Sequence, residues 1–237
     1  MLFASRWCTA FAECFRVVLR GAWRRSRVEG EMKYATNEIL GGVLSRYPAL
    51  AACREDIVAA FEVLLSAYRS DGKVLTCGNG GSAADAEHIV GELMKCFRKR
   101  RELPSAIAAK LRPELVEKLE GALPAVSLVS MEGLVTAFAN DVAWETAFAQ
   151  QVLALARPGD VLMALSTSGN SANCVAAAEV MRAVGGRSIA LTGQMASRLS
   201  DVCDVAIRVP ETETFRVQEL HLPVYHALCA MLEEELF

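Results

Sequence analysis

What this sequence lacks narrows its function before any motif is read. It has no C-x-x-C pair; its eight cysteines are scattered singly. That pattern argues against a cysteine-built zinc site and against a disulfide framework. It fits a reducing cytoplasm with buried thiols. No apolar run approaches the roughly 20 residues that span a bilayer, so no membrane partner is expected. Charge is nearly balanced, with a formal net of −3 over 237 residues, which gives no global attraction for nucleic acid. Internal repeats and low-complexity tracts are missing too. Histidine is scarce, only three residues in all, so the places where it falls carry information.

What is present is a large apolar share, 53% of the chain, enough for a substantial core in one domain with a helical extension. Residues 1–31 differ from the rest, holding Arg6, Arg16, Arg20, Arg24, Arg25 and Arg27 with few acids. We expect this segment to stand outside the fold, as a loose extension or the product of a start placed upstream of Met32. A transit-type segment is the alternative, since such segments are Arg-rich and acid-poor. The folded domain is expected over 32–237.

From Met32 the chain opens with two helical patterns, at about 34–47 and 51–70, separated by Pro48. Short apolar runs then alternate with helical ones. Strands are expected at 73–77, 125–129, 161–165, 188–191 and 205–209. Helices are expected at about 82–96, 143–156, 171–184, 196–201 and 214–236. This alternation implies right-handed crossovers and a parallel sheet covered on both faces, an α/β fold. Residues 97–124 break the rhythm. They begin with the basic run Arg98-Lys99-Arg100-Arg101 and hold a short helical pattern between Pro113 and Gly121. Their length suggests a functional loop, a lid or an oligomer contact, and the basic run reads as solvated surface or as a ligand contact.

Ligands of open parallel sheets sit beyond the carboxyl ends of the strands. Two of these ends are unusual here. After the first strand comes Gly78-Asn79-Gly80-Gly81-Ser82, and after the third comes Ser166-Thr167-Ser168-Gly169-Asn170-Ser171. Each runs into a helix, so backbone N–H groups and the positive dipole end converge as they would on an anion. A tight turn with an N-cap would use the same residues, but two such loops in one sheet favour a phosphomonoester. Neither loop carries the common nucleotide patterns G-x-G-x-x-G or G-x-x-x-x-G-K-[ST]. His88 and Glu92, four residues apart, share one helix face. Gln218 and His226 can both edge one site from the last helix. These four can converge on a divalent metal such as zinc, or on a substrate; the role of His221 stays open.

The runs LTCGNGGSAADAEHIVGEL, LSTSGNSAN and RVQELHLPVYH resemble the phosphoheptose isomerases of the sugar isomerase (SIS) domain superfamily. The likeness covers roughly residues 50–237, apart from an insertion at about 98–122. It implies a SIS-type fold: a five-stranded parallel sheet flanked by helices, with an N-terminal helical hairpin. It implies a cytoplasmic homotetramer with sites between subunits, zinc at His88, Glu92, Gln218 and His226, and no nucleic-acid partner. It implies substrate binding by Asn79, Gly80, Gly81, Ser82, Asn140, Asp141 and Gln218, with Ser166, Thr167, Ser168 and Ser171 on the phosphate. Glu92, also on the substrate, and His226 match the catalytic pair.

The implied reaction is aldose–ketose isomerisation of sedoheptulose 7-phosphate, feeding ADP-heptose synthesis. The insertion departs from the family pattern, as do Ala83 and Ala84 where some members carry larger residues. The alternative is a non-catalytic SIS protein that binds a phosphosugar as a regulator or scaffold, like relatives that bind the bacterial replication initiator. Those relatives lack the Glu and His that stand here at 92 and 226.

Overall fold

A computed structural model of the chain describes residues 32–237. The expectation for residues 1–31 lies outside the described residues. Two helices, α1 (Tyr34–Arg46) and α2 (Arg54–Arg69), come first, joined by a 3-10 turn over Pro48–Cys53. Pro48 stands at the first position of that turn, where its missing N–H costs nothing. The remaining elements are β1 (Val74–Cys77), α3 (Gly81–Met94), α4 (Ser105–Ala108), α5 (Pro113–Val116), β2 (Ala125–Ser127), α6 (Glu132–Asp141), α7 (Ala147–Leu155), β3 (Val161–Leu165), α8 (Ala172–Ala183), β4 (Arg187–Thr192), α9 (Arg198–Val202), β5 (Val205–Arg208) and α10 (Thr214–Leu236).

The five strands form one parallel sheet in the order β2-β1-β3-β4-β5. Successive strand residues point to opposite faces. Val161, Met163 and Leu165 therefore enter one core with α1, α2, α3 and α10. Leu162 and Ala164 enter a second core with α7, α8 and α9. Burial on both faces is why β3, at the centre of the sheet, reads as an unbroken apolar run, while β1, β2 and β4 admit only small hydroxyl residues in their buried stretches. All five lie where the sequence places them, to within one or two residues at each end.

One helix was not expected from sequence. α6 buries none of its residues fully within the chain, and Val135 packs only partly against the second core, so its apolar face is thin. The insertion also holds more structure than expected, with α4 as well as α5.

The basic run that opens the insertion divides into different roles. Arg98 is exposed. Lys99 pairs with Glu234 at 3.1 Å, and Arg100 donates to the Glu117 carbonyl. Arg101 is fully buried, and its Nε donates to Glu233 Oε1 at 2.7 Å. Its two terminal nitrogens donate to the Leu93 and Glu92 carbonyls, at 2.6 and 3.0 Å. Those carbonyls end α3, where no further helical N–H is available to them. Glu233 in turn accepts from the Phe97, Arg98 and Lys99 amides. Burial pushes the Glu233 carboxyl upward, but these amides and Arg101 outweigh it and hold its pKa below the usual carboxylate range. One buried ion pair thus ties the insertion, the end of α3 and α10 together.

His221 is also buried, against the inner face of α10. Neither ring nitrogen finds a hydrogen-bond partner by strict geometry. The Thr192 backbone lies close enough to oppose the shift, but burial dominates and lowers the pKa to about 4. His221 is therefore a core residue.

Two stability measurements test these assignments. Arg101→Ala leaves Glu233 buried and unpaired, and should cost about 3–5 kcal/mol in urea denaturation. Arg100→Ala, at an exposed side chain, should stay within about 0.5 kcal/mol. Equal effects would contradict the assignment. For His221 the folded pKa lies below the unfolded one, so its stabilising share is complete above pH 6.5 and is lost as pH falls toward 4. Between pH 7 and pH 5 the natural chain should lose about 2 kcal/mol more than His221→Phe does. Parallel losses would show that His221 protonates freely in the fold.

Candidate active site

In the order β2-β1-β3-β4-β5 the chain leaves β1 toward one edge and β3 toward the other. The crevice between them is the topological switch point, where open α/β sheets take their ligands. β1 and β3 are neighbours in register, Cys77 beside Ala164. The two loops singled out by sequence therefore emerge side by side.

The first loop turns through Gly80, at φ +57°, and enters α3 at Gly81. A side chain at Gly81 would meet the Gln218 amide at 2.6 Å, so the bare glycine lets that amide lie against the loop. The second loop turns at Gly169, φ +65°, where an added Cβ would fall 2.0 Å from Ser197 Oγ. Ser197 caps α9, and the Gly169 carbonyl accepts from the Leu199 amide. Within this loop Ser166 and Ser171 share a hydrogen bond at 2.9 Å, and Ser168 Oγ accepts from the Asn170 amide. Ser166 is buried, whereas Ser168 is exposed at the loop's outer edge.

A residue overlooked in the sequence joins the loops. Asn173 and Asn79 exchange two amide hydrogen bonds, each 2.9 Å long. Asn173 is buried in the first turn of α8, and an Asn closing the run LSTSGNSAN is the signal the sequence offers.

Further along α3 and α10 a polar cluster forms. His88 Nε2 lies 3.2 Å from Glu92 Oε1 and 3.5 Å from His226 Nε2. Glu92 Oε2 accepts from Lys95 Nζ at 2.8 Å. Burial, then the nearby His88, lowers the His226 pKa below its ordinary value and favours the neutral ring. Phe97, the residue before the basic run, lies over His226 with ring centres 5.3 Å apart. The Tyr225 hydroxyl lies 3.0 Å from His88 Nδ1 and 3.1 Å from Asp85 Oδ1. Burial raises the pKa of both Tyr225 and Asp85.

The structure thus brings His88, Glu92 and His226 together. It sets Gln218 against Gly81, seven residues or about 10 Å of helical rise before His88. Ser82 is buried at the start of α3. Asn140 and Asp141 end α6, exposed and hydrogen-bonded to each other at 2.9 Å. Neither side chain reaches a loop by a hydrogen bond among the described residues. A cavity of about 460 Å³ lies apart from all of these, inside the insertion between Arg100, Leu103, Val116 and Leu119.

Among the described residues, no three His, Cys, Asp or Glu side chains are already closed around one point as a metal site. The donor chemistry of His88, Glu92 and His226 nevertheless suits zinc. Their 3.2 and 3.5 Å separations are close to the ~3.3 Å expected between ligands of a tetrahedral zinc ion.

Comparison with known proteins extends this picture. Two sequence profiles described as the SIS domain match residues 47–140 and 133–232. A phosphoheptose isomerase of Rhodospirillum rubrum is 41% identical over 187 residues, covering 79% of this chain and 89% of that protein. One from Akkermansia muciniphila is 35% identical over 205 residues, covering 86% and 98%. The solved structure of phosphoheptose isomerase GmhA from Neisseria gonorrhoeae aligns over 96% of this chain and 99% of its own, with 30% identity and a TM-score of 0.64. That of a Francisella tularensis phosphoheptose isomerase aligns over 85% and 100%, with 28% identity and a TM-score of 0.66. With the SIS architecture and this degree of identity, the chain belongs to the phosphoheptose isomerase family of SIS domain proteins.

Proposed function

We propose that the chain interconverts the ketose and aldose forms of a sugar phosphate, taking sedoheptulose 7-phosphate to D-glycero-D-manno-heptose 7-phosphate. The observation that carries this reading is the cluster of Glu92, His88 and His226 on the helix that leaves the first loop and the helix packed against it. A binding module needs the loops alone. An isomerase also needs groups that move protons.

The phosphate would rest on the second loop, at the N-terminus of α8, held by Ser166, Thr167, Ser168 and Ser171. Asn79, Gly80, Gly81 and Ser82 would hold the sugar hydroxyls, with Gln218, Asn140 and Asp141 completing the wall. Holding the far end of the sugar orients its reacting carbons. Glu92 takes the proton from C1 and returns one to C2. His226 passes the matching proton between the two oxygens. The net change is a carbonyl moved from C2 to C1 through an enediol, with no proton gained or lost. His88, Glu92 and His226 would hold zinc, with Gln218 a fourth donor if its amide swings from Gly81. When bound, zinc supplies Lewis-acid polarisation of the carbonyl oxygen.

A homo-oligomer, a tetramer with sites between subunits, belongs to the same reading. α6 buries none of its residues fully within the chain, and Leu134, Val142, Trp144 and Leu153 are exposed on and near it. Glu92 lies eleven residues, about 16 Å of helical rise, beyond Gly81. A second copy bringing its own Glu92 and His226 over this loop would shorten that gap. The reading also places the chain in the cytoplasm, where Cys53, Cys77, Cys96, Cys174, Cys203 and Cys229 would stay the free thiols they are here.

Steady-state kinetics on the natural substrate separates the two ends of the site. Glu92→Gln should lower kcat by at least about 100-fold, the low end for loss of a general base, with KM changed only a few-fold. Ser168→Ala should raise KM about 10-fold and leave kcat nearly intact, as for a lost hydrogen bond to a charged group. Full activity in the first variant, or an unchanged KM in the second, would contradict the assignment.

A further inference from the structure

Tyr225 and Asp85 have no part in the reaction just described, yet they sit directly behind it. Tyr225 is fully buried on α10. Asp85 lies on α3, three residues before His88, so the two share a face. The Tyr225 hydroxyl touches both, at 3.1 Å from Asp85 Oδ1 and 3.0 Å from His88 Nδ1.

A phenol has one hydrogen, and an ionised carboxylate can only accept. The hydrogen therefore goes to Asp85, where the bond is charge-assisted. The hydroxyl then presents a lone pair to His88, so Nδ1 must carry the ring hydrogen. Reversing the assignment would point the Tyr225 hydrogen at Nδ1 and leave the Asp85 carboxylate facing an oxygen lone pair. With Nδ1 protonated, the Nε2 lone pair of the neutral ring faces Glu92 Oε1 at 3.2 Å and His226 Nε2 at 3.5 Å. Electron-rich atoms gathered this closely require a cation or a proton between them.

We infer that Asp85 and Tyr225 are positioning residues: through the Tyr225 hydroxyl, Asp85 locks His88 in the Nδ1–H tautomer and aims its Nε2 lone pair at the space shared with Glu92 and His226. This rests on the isomerase reading for its purpose but not for its geometry. The relay presets the ring before any ligand arrives, and a ring held by a carboxylate binds a metal ion more firmly. The aromatic ring of Tyr225 adds a second restraint, edge-on to His88 with centres 5.4 Å apart.

Two variants test the relay in the full-length chain. Tyr225→Phe keeps the ring and removes the hydroxyl. Asp85→Asn keeps the shape but offers an amide donor to the Tyr225 oxygen, which frees the phenolic hydrogen to turn toward Nδ1. The tautomer is read from long-range ¹H–¹⁵N NMR spectra of the metal-free protein, at a pH alkaline enough that His88 is neutral. The natural chain should show Nδ1–H, and both variants should move toward Nε2–H, whose hydrogen can reach Glu92. Zinc affinity, measured against a chromophoric chelator, should fall about 10–100-fold in both.

Nε2–H in the natural chain would overturn the inference. So would an unchanged tautomer and unchanged zinc affinity in both variants. If the natural chain turns over substrate and neither variant moves the tautomer, the relay fails alone. If the tautomer moves but the natural chain isomerises no sugar phosphate, the relay holds and the isomerase reading fails.

Discussion

The site depends on how closely α3 and α10 lie together. They meet at three levels. At the first, Gly81 offers no side chain, and the Gln218 amide fills the space where one would be. At the second, Asp85 and His88 face Tyr225 and His226. At the third, Arg101 bridges the carbonyl end of α3 to Glu233 near the end of α10. A larger residue at Gly81 would displace the Gln218 amide at one end, and loss of Arg101 would release the helices at the other. The polar cluster lies between these two ends, with contacts of 3.0 to 3.5 Å.

The sheet supplies the second constraint. Its switch point sets the two Gly/Ser loops next to each other, and the paired amides of Asn79 and Asn173 keep them so. Gly169 lets the second loop pack onto the cap of α9. On the proposed reading, backbone N–H groups and small side chains suffice to hold an anion, and neither loop carries a charged residue. The two groups of candidate residues thus sit on different parts of the fold: the loops on the sheet, the titratable cluster on the α3–α10 pair.

Much of this was legible in the sequence. The five strands were, because short, mostly apolar runs alternate with helical patterns, and small hydroxyl residues such as Thr76, Ser127 and Ser188 are all that interrupts the buried stretches of β1, β2 and β4. The two loops were, because Gly and Ser cluster where a strand meets a helix. α6 was not, because it buries none of its residues fully in its own chain. Arg101 looked like one of four similar basic residues. Only the position of Glu233, 132 residues away, makes it a buried staple. His221 and His226 were hard to tell apart, since both lie on one helix. Five residues turn the helix about 140°, and that rotation sends one into the core and the other to the cluster. Asn173, Asp85 and Tyr225 gave little sign of themselves, because their partners lie 94 to 140 residues away.

The central claim is that this pair of helices moves protons on a sugar held by the loops. Solvent deuterium exchange tests it most directly. Purified full-length chain, incubated with sedoheptulose 7-phosphate in deuterium oxide, should place deuterium on C1 of the ketose and C2 of the aldose while the aldose accumulates. Retention of the substrate's own hydrogens, with no aldose formed although the sugar phosphate binds, would contradict it.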